Sequence, residues 1–277
     1  MSEWQGIKRL FADYAVEYDN IVTAYSGGVD SAVVLRLAVE AAAGSGVKVF
    51  AVTARTLLHP AGEWQEAQRS AAELGAIHRL VDVDELREAG IENNPVNRCY
   101  LCKKTIFEKI KDAVLAELPE TGKTLFLDGT NADDLKEYRP GLKAVAELGI
   151  VSPLAAAGLT KAAVRRLAAE YGLSAAQKPS APCLITRIPY GQKVDYELLR
   201  RIDDGERFIR SRGFCNVRLR CHGSIARLEV DAIDLPKLAL PEERSAVIGY
   251  LKSLGFDYIT LDLEGFRSGS MDISLKN

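Results

Sequence analysis

Six consecutive residues of this chain have the types and the order that phosphate binding requires: Ser26, Gly27, Gly28, Val29, Asp30 and Ser31. They follow an apolar run at residues 21–25, and a helix is predicted to begin at residue 29. The paired glycines permit positive φ and leave no Cβ in the way of an approaching anion, while the helix directs free N–H groups toward that anion. Ser26 and Ser31 add hydroxyl donors, and Asp30 can hold the Mg²⁺ of a nucleotide phosphate. The segment therefore predicts a nucleotide phosphate site.

The spacing of this loop separates it from two commoner phosphate loops. No lysine follows the second glycine, as the Walker motif requires, and the pattern is not G-x-G-x-x-G. The loop instead resembles the pyrophosphate loop, or PP-loop, of enzymes that cleave ATP between its α and β phosphates to adenylate a substrate. The alternative is a Gly-Gly turn that only joins a strand to a helix, but the match of all six residues favours the PP-loop.

Three of the five cysteines form a second candidate site. Cys99 and Cys102 make a C-x-x-C pair at the start of a helix predicted over residues 102–118, where backbone N–H groups stabilise thiolate charge. Two cysteines cannot complete a zinc site, and no second pair exists, so the natural third ligand is Cys183, in a proline-rich loop. Three cysteines leave the fourth iron of a 4Fe-4S cluster open to a ligand such as sulfide. A redox pair and three ordinary core residues are the alternatives.

The first part of the chain alternates predicted strands and helices, which is typical of a parallel sheet covered on both faces. The strands are expected at residues 21–25, 47–53, 77–82 and 124–128, and the helices at residues 29–43, 63–75, 102–118 and 160–171. Right-handed crossovers place the loops after these strands at one edge of the sheet. Asp128, at the end of the last strand, is therefore expected to lie beside the phosphate loop.

The character of the sequence changes after Lys178, where two prolines in five residues mark a linker or an active-site loop. Beyond it, a charged helix is predicted at residues 196–212 and a further helix after residue 241. Three strands are predicted at residues 217–221, 225–230 and 258–263. We therefore predict an α/β fold with two domains. A parallel-sheet PP-loop ATP pyrophosphatase domain, of the adenine nucleotide alpha hydrolase type, covers residues 1–180, and a smaller α+β domain for substrate binding and sulfur transfer covers residues 181–277.

The composition of the chain argues against several classes of protein. The chain has 277 residues, is 47% hydrophobic and 27% charged, and carries a formal net charge of −2, which argues against broad nucleic-acid binding. The first residues lack an apolar signal core, and no run is long enough to span a membrane. A cytoplasmic protein is expected, and its cysteines are better read as metal ligands or catalytic groups than as disulfides.

Several longer motifs resemble the LarE family, and the match covers nearly the whole chain. They are NPVNRCYLCKK at residues 94–104, DGTNADD at residues 128–134, YRPG at residues 138–141, RIPYG at residues 187–191 and LDLEGFRSGS at residues 261–270. The resemblance implies an ATP-dependent sulfur transferase that adenylates the carboxylates of pyridinium-3,5-biscarboxylic acid mononucleotide and replaces AMP with sulfur. The thiocarboxylate product belongs to the nickel-pincer nucleotide of lactate racemase. The resemblance also implies a homo-oligomer.

The resemblance further implies how sulfur arrives. One branch of the family sacrifices its own cysteine, but Pro182 occupies that position here. The other branch holds a 4Fe-4S cluster on three cysteines and passes on a sulfide, and Cys99, Cys102 and Cys183 match that set. Sulfide, or another sulfur donor, is then a further partner.

Other site residues follow from the resemblance or from their position. Arg218 and Arg220 alternate along one strand and therefore share a face; arginine binds phosphate bidentately, and both match the family's arginines for the mononucleotide phosphate. Glu206 matches a carboxylate near the site. Asp128 is a candidate for contact with the adenylate, and Lys178, if it is not simply solvated, could neutralise a phosphate.

Two other functions stay open at this point. One is a tRNA thiolase of the PP-loop class with a three-cysteine iron–sulfur cluster, which the acidic net charge disfavours. The other is a non-catalytic adenine nucleotide sensor that uses the loop only for binding. Pyrophosphate release would separate the sensor from either enzyme.

Overall fold

The structure, a computed structural model, describes residues 4–59, 62–119, 121–137, 139–178, 182–267 and 270–271. Of the motifs above, Tyr138, residues 179–181 and residues 268–269 lie outside this part of the chain. The chain divides into two compact units: Met1–Thr56, Ala61–Ile91 and Asn97–Ala181 form the first, and Leu57–Pro60, Glu92–Val96 and Pro182–Asn277 form the second. The predicted role of residues 181–277 in substrate binding and sulfur transfer stays a prediction.

A four-stranded parallel sheet forms the centre of the first unit, in the order β3-β2-β1-β4. Its strands are β1 (Asn20–Ala24), β2 (Lys48–Arg55), β3 (Ile77–Asp82) and β4 (Thr124–Leu127). β1 is central, and its Asn20 pairs with Lys48 of β2 and with Thr124 of β4. The strands therefore end along one edge. The predicted α/β fold with a parallel sheet is confirmed.

Helices cover both faces of this sheet. They are α1 (Gln5–Glu17), α2 (Val29–Ala42), α3 (Glu63–Glu73), α4 (Glu85–Glu88), α5 (Arg98–Leu115), α6 (Gly141–Glu147), α7 (Pro153–Ala156) and α8 (Lys161–Glu170). Successive residues of β1 point to opposite faces: Ile21 packs into the cluster formed with α1, α2, α3 and α8, whereas Val22 packs with Phe107 of α5. The sequence prediction included neither α1 nor the short helices α4, α6 and α7.

Helix α5 begins at Arg98, so the predicted start at residue 102 is wrong. The N–H groups of Tyr100 and Leu101 both donate to the Asn97 carbonyl, at 3.0 and 3.2 Å, which makes Asn97 the N-cap. No glycine or proline between residues 98 and 102 delays the helix. Cys99 and Cys102 consequently both lie in its first turns.

The second unit contains a three-stranded sheet in the order β5-β6-β7. Its elements are α9 (Tyr196–Ser211), β5 (Val217–His222), β6 (Ile225–Val230), α10 (Leu235–Ala239), α11 (Pro241–Ser253) and β7 (Tyr258–Leu261). β5 and β6 are antiparallel, and β6 and β7 are parallel. β7 ends at Leu261, earlier than the predicted residue 263, because the Asp262 carbonyl accepts the Gly265 N–H (3.1 Å) in a turn.

Helix α9 packs closely on this sheet at Gly205. A Cβ at that position would lie 2.6 Å from Leu219 Cδ1 and 2.9 Å from Leu251 Cδ2. The apolar face of β5 is therefore in the core of the second unit. Its other face carries Arg218 and Arg220.

In the described part of the chain, no helix combines the length and the apolar character needed to cross a membrane.

Candidate functional site

The loop after β1 depends on glycine for its shape. Gly27 has φ +72°, and a Cβ there would lie 3.1 Å from Ala67 Cβ of α3. Gly28 precedes α2 without a side-chain cap. The first bond of α2 runs from Ala32 N to the Gly28 carbonyl (3.0 Å), so the N–H groups of residues 29–31 have no acceptor within the helix. These N–H groups and the helix dipole suit a phosphate.

Two serines close this loop with hydroxyl hydrogen bonds. Ser26 Oγ accepts the Gly28 N–H (3.3 Å) and lies 3.2 Å from Ser31 Oγ. Ser31 Oγ in turn donates to the Gly28 carbonyl (3.1 Å). The hydroxyls therefore help to set the conformation of the loop and are positioned at the N-terminus of α2.

Asp30 accepts hydrogen bonds from two residues that lie far from it in the sequence. Asn131 Nδ2 donates to Asp30 Oδ1 (3.2 Å), and Lys161 Nζ forms a close ion pair with Oδ2. Lys161 is the first residue of α8, whose N-cap Thr160 accepts the Ala163 N–H (3.3 Å). Lys161 is not among the predicted site residues, because its contact with Asp30 joins residues 131 positions apart and no local pattern distinguishes it from other lysines at helix starts.

The loop after β4 lies directly against the N-terminus of α2. A Cβ at Gly129 would be 2.9 Å from Ser31 N and 3.1 Å from Asp30 Cβ. The third contact is with Asp30 C, at 3.2 Å, so two of the three are with backbone and no side chain fits there. The loops after β1 and β4 therefore meet at one edge of the sheet.

Asp128, the first residue after β4, is buried and accepts four hydrogen bonds. Lys103 Nζ (3.0 Å), Thr130 Oγ1 (2.6 Å), Thr130 N (3.2 Å) and Ser152 Oγ (2.6 Å) all donate to it. Burial alone would raise its pKa, but Lys103 and the hydroxyls of Ser152 and Thr130 outweigh burial and lower the pKa. Asp128 is thus a charged anchor for the loop, and its predicted contact with adenylate stays a prediction.

A chain of hydrogen bonds runs across the sheet to the start of the phosphate loop. Thr53 Oγ1 donates to the Tyr25 carbonyl (2.7 Å), and His78 Nε2 lies 2.9 Å from Thr53 Oγ1. Tyr25 OH lies 2.7 Å from Ser70 Oγ of α3. Burial and Arg79 lower the pKa of His78. Tyr25, directly before Ser26, is therefore fixed by both its backbone and its side chain.

Lys178 lies in the first unit, where it forms an ion pair with Glu66 of α3 (2.9 Å). Its ammonium group is therefore held by a carboxylate. The predicted role of Lys178 in phosphate neutralisation stays a prediction.

Cys99 is exposed and Cys102 is half-buried. α6 packs closely on this turn of α5, because a Cβ at Gly141 would lie 2.9 Å from Lys103 Cδ and 3.4 Å from the Cys99 carbonyl. Cys183, also half-buried, belongs to the second unit, where its carbonyl accepts the Thr186 N–H (3.1 Å). Among the described residues, no three His, Cys, Asp or Glu side chains form a group that could hold a metal ion. The three-cysteine cluster therefore stays a prediction.

Glu206, in the second unit, is completely buried and bound by arginine. Arg187 donates from Nε to Oε1 (2.8 Å) and from Nη2 to Oε2 (3.0 Å), and Leu219 N donates to Oε1 (3.0 Å). Burial would raise the pKa of Glu206, but Arg187 and its other donors lower it. A carboxylate bound in this way is suited to positioning Arg187 and β5. Its predicted catalytic role stays a prediction.

The two predicted phosphate arginines differ in their surroundings. Arg220 is buried, and its guanidinium donates to Glu229 Oε2 (2.8 Å) and to the Thr186 carbonyl (3.2 Å). Glu229 is itself completely buried and also accepts from Arg227 (3.1 Å) and from Ser270 Oγ (2.7 Å). Arg220 therefore belongs to a buried ion-pair network.

The guanidinium of Arg218 has different surroundings. Within the described residues, its guanidinium makes one hydrogen bond, to the Val217 carbonyl (2.8 Å), and no ion pair with a carboxylate. It lies over the Phe266 ring, 5.0 Å from the centroid. Burial and the nearby Arg187 lower the pKa of Arg218 to about 10. A half-buried guanidinium that forms no ion pair with a carboxylate among the described residues is suited to binding a phosphate.

A parallel sheet whose central strand leads through the loop at residues 26–31 into the N-terminus of α2 is the arrangement expected of an α/β protein of the PP-loop class. No protein-family model matches the chain. The chain is 36% identical, over 94% of its length and 91% of the relative's, to the pyridinium-3,5-bisthiocarboxylic acid mononucleotide synthase of Lactiplantibacillus plantarum. It therefore belongs to the LarE family.

Two uncharacterised proteins are also similar to the chain. One, from Synechocystis sp., is 34% identical over 98% of this chain and 97% of the relative. The other, from Methanocaldococcus jannaschii, is 30% identical over 90% of this chain and 91% of the relative. All three relatives therefore match both units of the structure.

Proposed function

We propose that this protein is an ATP-dependent sulfur transferase that converts the carboxylates of pyridinium-3,5-biscarboxylic acid mononucleotide to thiocarboxylates in nickel-pincer nucleotide synthesis. The observation that carries the proposal is the similarity, over nearly the whole chain, to a synthase named for the bisthiocarboxylic acid product. The geometry of the loop at residues 26–31 supports ATP as the source of energy.

In the first step, ATP binds with its pyrophosphate at the N-terminus of α2. A carboxylate oxygen of the substrate attacks the α-phosphorus, the bond from that phosphorus to the bridging oxygen breaks, and pyrophosphate leaves. No protein nucleophile is needed, because positioning and charge neutralisation lower the barrier. The free N–H groups of residues 29–31 and the Lys161 ammonium, which is held by Asp30, neutralise the phosphates.

Asp30 also fits the role of a Mg²⁺ ligand. Its carboxylate lies at the same end of α2 as the free N–H groups, and carboxylate oxygens are ligands that Mg²⁺ prefers. A bound Mg²⁺ would neutralise charge on the leaving pyrophosphate. Lys161 and Asn131, which contact Asp30 through both of its oxygens, orient the carboxylate for this role.

For the substrate, Arg218 is the better candidate of the two arginines for the mononucleotide phosphate. Its guanidinium has no carboxylate partner among the described residues, whereas Arg220 is committed to Glu229. Arg220 then contributes indirectly, because its buried ion pair with Glu229 holds β5 in position.

In the second step, a sulfur nucleophile attacks the carbonyl carbon of the acyl-adenylate, and AMP leaves with the electrons of the broken carbon–oxygen bond. Cys99 and Cys102 lie about one helical turn apart on α5, which suits two ligands of one centre, and cysteine thiolates hold iron–sulfur clusters. With Cys183 they would hold a 4Fe-4S cluster. When bound, the cluster would supply a sulfide at its open iron.

The test is to incubate anaerobically purified protein with Mg-ATP, sulfide and pyridinium-3,5-biscarboxylic acid mononucleotide. We expect pyrophosphate release that depends on the mononucleotide, several thiocarboxylates formed per chain, and bound iron that is lost in Cys183→Ala. ATP binding without pyrophosphate release would contradict the enzyme and favour a nucleotide sensor. A single sulfur per chain, with Cys183 converted to dehydroalanine, would contradict the cluster and leave the sulfur transferase intact. The cytoplasmic location and the homo-oligomer stay predictions.

A further inference from the structure

The segment that follows β7 in the second unit turns back onto the end of β6. Gly265 has φ +71°, and a Cβ there would lie 2.8 Å from the Val230 carbonyl oxygen, so this close approach requires glycine. The next residue, Phe266, donates its backbone N–H to the same oxygen (2.7 Å). The backbone of Phe266 is therefore fixed at the end of β6.

This backbone position brings the Phe266 ring to Arg218. Val230 is paired with Val217 of β5, which directly precedes Arg218. The guanidinium carbon of Arg218 lies over the Phe266 ring, 5.0 Å from its centroid. Both side chains are half-buried, so water is partly excluded from the contact, which strengthens the attraction between a cation and an aromatic ring.

An aromatic ring and a carboxylate differ in what they leave for a ligand of the arginine. A carboxylate accepts guanidinium N–H groups, as Glu229 does from Arg220, and those donors are then occupied. An aromatic ring attracts the positive charge through its π face and leaves the N–H groups to other acceptors. Of its five N–H donors, the Arg218 guanidinium uses one in a hydrogen bond to an acceptor in the described ranges, the Val217 carbonyl.

The charges around Arg218 also favour an anion. Burial, followed by the nearby Arg187, lowers the pKa of Arg218 to about 10, so the group stays charged at neutral pH. Arg220 and Arg210 act in the same direction, and the Glu206 carboxylate opposes them. A phosphate bound at Arg218 would relieve the repulsion among these cations.

We infer that Phe266 is a positioning residue for the phosphate of the mononucleotide substrate, because its ring holds the Arg218 guanidinium in place and leaves the N–H donors to the phosphate. The inference rests on the proposed function, in which Arg218 binds that phosphate. An arginine that is not held loses its side-chain freedom when the ligand binds, which lowers affinity. Contact with the ring removes much of that freedom beforehand.

The first test compares Phe266→Leu with Phe266→Tyr in the whole chain, by isothermal titration with pyridinium-3,5-biscarboxylic acid mononucleotide. Leucine is apolar but has no π face, and we expect affinity to fall roughly 3–10-fold. Tyrosine keeps the ring, and we expect affinity within about twofold of the native protein. ATP affinity should not change in either variant. In pyrophosphate release by Phe266→Leu, KM for the mononucleotide should rise and kcat should not, as expected for the loss of uniform binding.

The matched control is Phe208→Leu, in the same unit. The Phe208 ring also lies under an arginine, Arg212, at 5.9 Å, but Arg212 donates to both carboxylate oxygens of Glu243 (2.6 and 3.0 Å). The substitution therefore removes the same kind of contact from an arginine that is already paired. We expect unchanged mononucleotide affinity. A loss equal to that of Phe266→Leu would show that the effect does not depend on Arg218 and would contradict the inference.

The second test separates positioning from a structural role. Phe266→Leu is combined with Arg218→Ala, and mononucleotide affinity is measured for both single variants and for the double variant. If Phe266 acts through Arg218, the double variant should bind as weakly as Arg218→Ala alone. A residue that only stabilises the fold would weaken binding further even when Arg218 has been removed.

The outcomes separate this inference from the proposed function. If Arg218→Ala weakens mononucleotide binding but Phe266→Leu does not, or if the two losses add in the double variant, Phe266 does not position Arg218. A loss in Phe266→Tyr as large as that in Phe266→Leu contradicts the role of the ring. If the native protein binds no mononucleotide, or Arg218→Ala binds it normally, the phosphate site of the proposed function fails first and the role of Phe266 fails with it.

Discussion

The anion sites that we propose for the two units are built in opposite ways. In the first unit, the phosphate loop presents the backbone N–H groups of residues 29–31, and its shape depends on Gly27, whose φ is +72°. In the second unit, the face of β5 uses guanidinium groups, one of which, Arg218, has no carboxylate partner in the described part of the chain. An anion site made of backbone N–H groups is weakened when a side chain replaces a glycine beside it. An anion site made of guanidinium groups is weakened when an arginine is replaced by an uncharged residue.

Two neighbouring arginines of β5, Arg218 and Arg220, also differ from one another. Arg220 and Arg218 are two residues apart on one face, yet Arg220 is neutralised by the buried Glu229 and Arg218 is not. Identical residue types thus have different surroundings, and we propose different tasks for them: Arg220 stabilises the fold, and Arg218 binds the substrate phosphate. The following predictions test these two contrasts.

Replacing Arg220 should have the largest effect, and it should fall on stability. Arg220→Met leaves the completely buried Glu229 without its closest arginine, which costs about 3 kcal/mol or more in the free energy of unfolding. Urea unfolding measures the loss. The double variant Arg220→Met with Glu229→Met should recover much of it, because no buried charge is left unpaired. A single variant as stable as the native protein would contradict the structural role.

In the first unit, Gly129→Ala should damage the phosphate loop. The added methyl group would meet Ser31 N at 2.9 Å and Asp30 Cβ at 3.1 Å, so the loop must move, and pyrophosphate release should fall about 100-fold. Gly6→Ala is the control, since a Cβ at Gly6 meets nothing within 4 Å. Normal pyrophosphate release by Gly129→Ala would show that this close approach is unimportant for activity.

Arg218→Ala should weaken substrate binding while leaving the fold intact. The loss of a charged hydrogen bond corresponds to roughly 1.5–3 kcal/mol in mononucleotide affinity. Because Arg218 forms no ion pair with a carboxylate among the described residues, its removal should lower the melting temperature only through the loss of its contact with the Phe266 ring. ATP affinity should not change. Isothermal titration with each ligand measures the difference, and Arg200→Ala, at an exposed arginine paired with Asp204 on α9, is the control. Equal losses for ATP and the mononucleotide would place Arg218 outside the substrate site.

The smallest expected effect concerns pH and Asp128. The folded-state pKa of Asp128 is lowered, so its contribution to stability is complete above the unfolded pKa of about 3.9 and is lost as pH falls through the folded-state value. Asp128→Asn should therefore cost about 1 kcal/mol at pH 7, and its difference from the native protein should shrink toward acidic pH. Urea unfolding at several pH values measures this, with Asp13→Asn on α1 as the control. A difference that does not vary with pH would contradict a charged Asp128.

Local patterns were sufficient to predict the sheet and the phosphate loop. The four strands are short apolar runs, and residues 26–31 carry their own conformational signal in Gly27, whose positive φ is observed. The predicted start of α5 at residue 102 is nevertheless wrong, because Asn97 caps the helix and α5 begins at Arg98.

The partners of charged residues could not be predicted from the sequence, because they depend on long-range packing. Lys161 reaches Asp30 across 131 positions, and nothing near it in the sequence marks it as different from other lysines at helix starts. Glu206 and Arg187 form a buried pair across 19 positions. The same limitation applies to Arg220, whose pairing with Glu229 depends on the register of β5 and β6.

The hydrogen bonds at Thr53 determine the state of His78. The Tyr25 carbonyl can only accept, so the single hydroxyl proton of Thr53 is committed to it. Thr53 Oγ1 must then accept from His78, which requires a proton on Nε2. The neutral imidazole is therefore the Nε2–H tautomer, and protonation at Nδ1 would leave that donor in place. The hydrogen bonds from His78 to Thr53 and from Thr53 to the Tyr25 carbonyl hold the start of the phosphate loop. They therefore keep the same direction whether His78 is neutral or protonated.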